Sequence, residues 1–209
     1  MNDHQEEAAA RQHFDATSEY WHDIYFRSEA YTGYSLRKQH HFILQQAAQI
    51  EGTRHILDVG CGAGVTVVAL AQAGYTASGV DIAPRMIERA QQWAQHEGAR
   101  CDFNVASARV LPYGDGQFDL VFALGLLSNV QDDRAVLAEM RRVLKPGGTL
   151  LVTVANLVAL DMLAALPHSV PIMLNGTALR APVRRIGNLG RILAQRPVKD
   201  VSALRFARS

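Results

Sequence analysis

The sequence predicts an α/β fold, a doubly wound and mostly parallel sheet with helices on both faces. Two observations carry this reading. Short apolar runs at about 55–59, 76–80, 101–105, 118–123 and 149–155 alternate with helical patterns at about 64–73, 84–97, 133–144 and 157–166. Alternation with connections this short puts neighbouring strands in parallel. The second observation is the stretch 56–64, Ile-Leu-Asp-Val-Gly-Cys-Gly-Ala-Gly. An apolar run meets three alternating glycines, and a helical pattern begins at Val65. A strand, a tight loop and a helix N-terminus in this order bind nucleotide-like ligands in α/β folds.

Each later element has its own signal. Gly60, Gly62 and Gly64 let the backbone turn sharply and let a ligand approach with no side chain in the way. Their spacing is G-x-G-x-G; the dinucleotide fingerprint would need glycine where Val65 stands. Asp81 ends the second apolar run, 17 residues after Gly64. A carboxylate there suits a ribose hydroxyl pair. Asp58, just before the glycines, suits the ammonium of an amino-acid group and would repel a pyrophosphate. Pro84 fits the first turn of its helix, where a missing N–H costs nothing. Asp132 is a good N-cap for the helix that follows it.

Composition narrows the class. With 209 residues the chain suits one domain with a full core. Its 48% hydrophobic and 20% charged residues are those of an ordinary globular protein, which excludes a disordered or fibrous chain. The polar start, Met1 to Arg11, predicts no signal peptide. Cys61 and Cys101 show no metal spacing, and the histidines are scattered, so no metal is expected. A reduced, cytoplasmic setting fits best. The apolar stretch from Thr149 to Leu166 contains Asn156 and Asp161 and reads as a buried strand and helix rather than a membrane span.

The N-terminal 50 residues read as a helical cap, with helices near 5–16 and 36–50. Between them cluster Phe14, Tyr20, Trp21, Tyr25, Phe26, Tyr31 and Tyr34. These are expected to line a pocket in part, or else to dock the helices on the sheet. The charge is split: residues 162–209 hold eight Lys+Arg and one acid, against a whole-chain net charge of +1. Such a basic end points to an anionic partner surface.

Further motifs follow in order. Leu111-Pro112-Tyr113 precedes the turn Gly114 to Gln117; Phe118-Asp119 opens a strand; Lys145-Pro146-Gly147-Gly148 ends a helix. Together with the glycine loop and Asp81, these resemble the class I S-adenosylmethionine-dependent methyltransferases, in particular the small-molecule and quinone-biosynthesis branch. The resemblance covers roughly residues 55–156. It implies a Rossmann-like core over 51–166, with a cap over 1–50 and a basic C-terminal extension over 167–209. It also implies that the cofactor is S-adenosyl-L-methionine and that the activity is methyl transfer to a small molecule at oxygen or carbon.

The resemblance further implies a site. Backbone groups of Gly60, Cys61 and Gly62 would hold the methionine end of the cofactor, with Cys61 as a small spacer. Asp81 would take the ribose, and Ile82 and Met86 would flank the adenine. Ser107, Ala108, Arg109 and Leu124 would complete the pocket, and Arg37 would reach the cofactor carboxylate. Ser107 departs from the family, which often has Asp there to receive the adenine amino group. Ser128-Asn129-Val130 also departs from the Glu-His-Val of quinone-type enzymes, so no acid or base remains there. Catalytic residues are therefore open: His22, His40, His41 and Tyr25 are candidate bases, and an already ionised acceptor would need none.

The family's last two strands, an antiparallel hairpin, have no counterpart in the pattern after residue 162. The sequence reads as truncated there or as having replaced those strands. An exposed sheet edge would favour dimerisation or aggregation unless residues 162–209 cover it. Residues 178–195 resemble a cationic amphipathic helix that suits peripheral contact with an anionic membrane. With the single aromatic Phe206, the tail is a poor nucleic-acid reader. Two other classes compete with this reading. A nicotinamide reductase is disfavoured, because its Tyr-x-x-x-Lys pair would follow the glycine loop, whereas Tyr34 and Lys38 precede it. A non-catalytic relative that binds the cofactor or a partner remains the alternative.

Overall fold

A computed structural model describes residues 3–27, 31–155, 171–172 and 204–205. Three helices come first: α1 (Asp3–Ala16), α2 (Ser18–Arg27) and α3 (Tyr31–Gln49). The core alternates β1 (His55–Val59), α4 (Val65–Gln72), β2 (Thr76–Asp81), α5 (Pro84–His96), β3 (Asp102–Val105) and β4 (Phe118–Ala123). A 3-10 turn (Leu127–Asn129), α6 (Asp133–Val143) and β5 (Leu144–Val152) follow. The short strands β6 (Val154–Ala155), β7 (Pro171–Ile172) and β8 (Leu204–Arg205) complete the described elements.

The main sheet runs β3-β2-β1-β4-β5-β8. Its first five strands are parallel, as the alternation predicts. The strand order reverses beside β1, between β2 and β4, which is where open α/β sheets form a ligand crevice. Inside-outside alternation along β1 and β4 builds two cores. Leu57, Val59, Val121 and Ala123 pack with Met140 and Val143 of α6. Ile56, Leu120 and Phe122 pack on the other face with Val67, Leu70 and Ile87 of α4 and α5. That second core also takes Ile43 and Ala47 of α3, so α3 is joined to the sheet by buried contact. A fully buried side chain of this size contributes about 1.5–3 kcal/mol.

The motifs downstream of the glycine loop serve this framework. Asp119 Oδ2 accepts the amides of Arg54 and His55 at 3.0 and 2.9 Å, and Oδ1 accepts Lys145 Nζ at 2.7 Å. One carboxylate thereby joins the start of β1, the start of β4 and the Lys-Pro-Gly-Gly turn. Arg142 of α6 donates to the carbonyls of Tyr113 and Leu111 at 2.8 and 3.2 Å, which fixes the Leu-Pro-Tyr turn. Pro84 stands in the first turn of α5, and Asp132 caps α6 by accepting the Ala135 amide at 3.0 Å.

Some elements differ from expectation. Residues 18–27 form a helix of their own, where the sequence predicts only an aromatic cluster between two helices. β5 begins at Leu144 rather than 149, because the Lys-Pro-Gly-Gly turn is looped out within it. Leu144 pairs with Phe118, and pairing resumes at Thr149 with Leu120. β5 also ends earlier than 155, since Val154 and Ala155 leave to pair with β7. At the β5 edge, Leu204 and Arg205 pair antiparallel with Leu150 and Thr149. Among the described residues that edge carries this two-residue strand and no hairpin. The helix expected at 157–166 and the basic stretch 178–195 lie outside the described residues.

The glycine loop sets the tightest steric limit. Gly64 has φ +75°, and a Cβ there would sit 2.7 Å from Ala90 Cβ and 2.8 Å from Phe103 Cζ. Gly62 has φ +52°, with nothing within 4 Å of its missing Cβ. Gly64→Ala should therefore cost about 1–2 kcal/mol for the left-handed backbone and about 1–3 kcal/mol more for overpacking. Gly62→Ala should cost the backbone share alone. Urea unfolding of both variants checks this; equal losses would remove the packing contribution.

Candidate functional site

A cleft of about 330 Å³ opens over the C-terminal ends of the strands around β1. Its floor is the end of β1 and the glycine loop. The amides of Gly60 and Cys61 both donate to Val80 O, at 2.8 and 2.9 Å, so the loop is laced to the end of β2. Gly62 presents open space where a side chain would stand, so a ligand can approach the backbone directly. One wall holds Asp81, Ile82 and Met86, and another holds Ala106 to Arg109. Leu124 to Leu126 border it beyond β4, and α1, α2 and α3 roof it.

Eleven of the twelve sequence-expected site residues line this cleft: Asp58, Gly60, Cys61, Gly62, Asp81, Ile82, Met86, Ser107, Ala108, Arg109 and Leu124. Arg37 does not line it. Its guanidinium donates to the Tyr25 carbonyl at 3.2 Å and so ties α3 to α2. Ser35, Leu36 and Gln39, at i, i+1 and i+4, share the face turned to the cleft, and Arg37, two residues from both Ser35 and Gln39, lies on the other side of the helix.

Two carboxylates on adjacent strand ends behave differently. Asp81 Oδ2 accepts the Gly62 amide and Oδ1 the Ala83 amide, each at 2.9 Å. Burial raises its pKa, and those amides pull against the rise without cancelling it. Asp58 is 3% exposed, and its Oδ1 is buried with no hydrogen-bond partner. Burial, and then the charge of Asp81, push its pKa well above the usual carboxyl range. A carboxylate left in this condition is costly unless a cation or strong donor joins it.

The roof contributes acids that sequence reasoning missed. Glu6 Oε2 accepts Arg109 at 2.8 Å, with both side chains 12% exposed, and Glu6 Oε1 accepts the Gln131 amide at 2.7 Å. Ser107 Oγ donates to Glu7 Oε1 at 2.5 Å and accepts the Arg109 amide at 3.1 Å. A carboxylate thus does stand at the position where the chain departs from the family, brought by α1 rather than by residue 107. Only the helical pattern of 5–16 was readable; nothing local in the sequence joins Glu6 and Glu7 to residues about a hundred positions away. Gln39 was missed for the same reason. It lines the cleft, its Nε2 donates to Ser35 Oγ at 3.2 Å, and its Oε1 is buried without a partner.

The aromatic cluster divides between the two expected roles. Phe14, Trp21 and Tyr25 line the cleft. Phe26 instead packs on Trp93 of α5 at 5.0 Å, and Tyr20 and Tyr34 are exposed. Of the candidate bases, Tyr25 is in the cleft, with its pKa raised by burial and by Asp58. His40 sits behind it, with Nδ1 3.1 Å from Thr66 Oγ1, and burial lowers its pKa. His22 packs edge-on to Trp93, and His41 faces Gln45 at the surface. The Cys61 thiol is kept neutral by burial and lies close against Gly79, which fits a spacer. Ser128 and Asn129 border the cleft but donate to the Gly125 carbonyl, at 2.9 and 2.8 Å. No group of metal-ligating side chains occurs among the described residues.

Residues 57–152 match a family model described as a methyltransferase domain. Norajmaline N-methyltransferase of Rauvolfia serpentina is 37% identical over 102 residues, covering 47% of this chain and 35% of that protein. Ubiquinone biosynthesis O-methyltransferase of Methylococcus capsulatus is 35% identical over 104 residues, covering 49% and 44%. The chain spans less than half the length of these curated relatives. Among solved structures, the [4+2]-cyclase SpnF superposes with TM-score 0.61 at 25% identity, over 69% of this chain and 58% of that one. The magnesium protoporphyrin IX methyltransferase of Synechocystis PCC 6803, with bound SAH, gives 0.64 at 20% identity, over 91% and 88%, a likeness of fold.

Asp58→Asn should stabilise the ligand-free protein. The folded-state pKa of Asp58 is raised, so its carboxyl favours folding at acid pH and loses that contribution as pH rises. The gain from Asn should therefore be absent near pH 4 and grow to about 1–3 kcal/mol by neutral pH. Thermal unfolding across that range checks it; a gain that does not vary with pH would point to another cause. Glu6→Ala removes the 2.8 Å carboxylate contact of Arg109, leaving the longer one to Glu7 at 3.9 Å, and should weaken docking of α1 by about 1–3 kcal/mol. Faster amide exchange confined to α1 is the expected readout.

Proposed function

We propose that this chain, whose residues 57–152 match a methyltransferase-domain family model, binds S-adenosyl-L-methionine and transfers its methyl group to a small molecule. The observation that carries the reading is the Asp58 carboxyl, whose buried Oδ1 has no partner, beside a glycine loop open at Gly62. That pair fits a ligand with an ammonium at one end and a nucleoside at the other. It does not fit a dinucleotide, whose pyrophosphate would face Asp58.

The residues divide the work. Gly60 to Gly62 and Asp58 hold the amino-acid end. Asp81, fixed by two amides, keeps lone pairs for the ribose hydroxyls. Ile82 and Met86 offer flat apolar contact to the base, and Ala106 to Ala108 close that end. When bound, the cofactor supplies a methyl group activated on a sulfonium, so the chemistry is an in-line displacement. The chain's task is then to orient the acceptor and exclude water, which is worth up to about 7–11 kcal/mol in such reactions. Phe14, Trp21, Tyr25 and Leu126 give the cleft an apolar, aromatic side. An aromatic or quinone-like acceptor, methylated at oxygen or carbon, suits that side. The likeness to a ubiquinone O-methyltransferase supports this class. The helices α1 and α2 serve as a cap over the cofactor, and the basic residues of 178–195 suit an acceptor held at an anionic membrane surface. No helix among the described residues is long and apolar enough to cross a membrane.

The likeness to a cyclase keeps a second reading in view, a relative that uses this fold without transferring methyl groups. Calorimetry should show S-adenosylmethionine and S-adenosylhomocysteine binding more tightly than NAD; the reverse order would sink the cofactor reading. Asp81→Ala should lower affinity by about tenfold or more, through lost charge-assisted bonds. Incubation with methyl-labelled cofactor and a panel of phenols and quinols should transfer label. Tight cofactor binding with no transfer to any acceptor would favour the non-catalytic relative.

A further inference from the structure

Methylation of a hydroxyl sets a proton free, and behind one wall of the cleft three side chains from three helices stand in line to take it. Tyr25 of α2 lines the cleft. Its side chain is hydrogen-bonded to that of Thr66 in α4. The Thr66 hydroxyl in turn lies 3.1 Å from Nδ1 of His40 in α3. The Tyr25 and His40 rings meet edge to face, with centroids 6.4 Å apart and planes at 79°. Thr66 is 3% exposed, whereas His40 is only half-buried. The line runs from the cleft through a dry hydroxyl to an imidazole nearer the surface.

Packing alone does not explain the hydroxyl. Thr66 stands in the first turn of α4 between Val65 and Val67, both buried, and a valine at 66 would match its shape. Helix capping does not explain it either, since Gly64 is the N-cap and no side chain caps that end. A hydroxyl both donates and accepts, so it can pass a proton between two neighbours without holding a charge. The two ends of the line suit their parts. Burial, and then Asp58, raise the pKa of Tyr25, so its phenol stays protonated until the reaction. Burial, and then His41, lower the pKa of His40, so its imidazole is neutral near neutral pH and able to take a proton. Asp58 and Cys61 face Tyr25, and His41 adjoins His40.

We propose that Tyr25, Thr66 and His40 form a proton relay for methyl transfer to a hydroxyl, with Tyr25 the catalytic residue at the acceptor and the other two positioning residues that act through it. The inference rests on the methyl-transfer reading above and narrows its acceptor to a hydroxyl that is un-ionised when it binds. As the acceptor oxygen forms its bond to the methyl carbon, the methyl–sulfur bond breaks and its electron pair stays on sulfur. The acceptor's proton passes to Tyr25 Oη, the phenol proton to Thr66 Oγ1, and the threonine proton to His40 Nδ1. The positive charge lost at sulfur reappears on the imidazolium, which then sheds a proton from Nε2 to water. The relay requires that resting His40 carry its proton on Nε2 and leave Nδ1 free to accept.

Two measurements test it. The first reads the wild-type chain without cofactor, by ring-nitrogen NMR, with the His40 signals identified by their absence from His40→Phe. His40 should show a protonated Nε2 and a bare Nδ1. A proton on Nδ1 would overturn the relay, because that ring would already donate to Thr66 and could take nothing from it. The second follows methyl transfer at about pH 8 to catechol, which is protonated there, and to 4-nitrocatechol, which is ionised. Thr66→Val should lower kcat for catechol by about tenfold or more and leave kcat for 4-nitrocatechol unchanged. Tyr25→Phe and His40→Phe should show the same split. Thr66→Ser restores the hydroxyl and should recover the catechol rate. Thermal unfolding identifies a variant that misfolds. Equal losses with both acceptors, or none with either, would overturn the relay and leave the trio a structural tie between helices. Failure of wild type to methylate either acceptor while still binding S-adenosylhomocysteine would instead overturn hydroxyl methylation, and the relay with it.

Discussion

The structure depends most on how closely the glycine loop is pressed against its neighbours. Gly64 leaves no room for a Cβ beside Ala90 and Phe103, and Gly79 leaves none beside Cys61. α5 and β3 therefore close in on the start of α4 from one side, while β2 meets the loop from the other. The same contact carries Val80 O to the amides of Gly60 and Cys61. Moving the loop outward by a side chain's width would break those bonds and open the floor of the cleft. The left-handed backbone at Gly60, Gly62 and Gly64 is the local cost of that approach.

A second constraint works against stability. Asp58 sits on the face of β1 that packs toward α3 and α4, where an alternating strand would ordinarily place an apolar residue such as Ile56. A buried carboxyl with an unpartnered oxygen is a standing penalty, and Gln39 adds a smaller one. Natural sequences retain such groups where binding needs them. The neighbouring Asp81 shows the contrast: two amides satisfy it before any ligand arrives. One carboxylate is organised in advance, and the other waits for its partner.

The sequence was legible where its signals were local. The five parallel strands, the loop, Pro84 and Asp132 follow from periodicity and capping, which act within a few residues. Phe118-Asp119 and Leu111-Pro112-Tyr113 were visible as motifs, but their work was not. Asp119 ties β1 to the turn before Thr149, and Arg142 pins the Leu-Pro-Tyr carbonyls, so both are structural. β5 was misjudged at both ends because a looped-out turn resembles a boundary and Thr153 hides one. Thr153 accepts the Gly125 amide at 2.7 Å, and the chain changes sheet there. Arg37 looked suited to a ligand by its charge, yet helix phase settles what it faces.

What remained hidden was the cap's share of the site. Ser107 reads in sequence as the loss of an acid, and locally it is one. Across about a hundred residues, Glu7 brings a carboxylate to the same hydroxyl, and Glu6 engages Arg109 two positions on. These partners lie in separate elements, so neither periodicity nor motif spacing reveals them. Their geometry also explains why the Ser107 segment can hold its shape without an acid of its own. The Ser107 hydroxyl bridges Glu7 and the Arg109 amide, so docking of α1 and the form of this wall are one event. A cleft whose floor is set by glycine backbone and whose walls are completed by the cap has its affinity divided between the two. The core alone would offer Asp81 and the loop, while Gln39 and the acids of α1 come only with the helices in place.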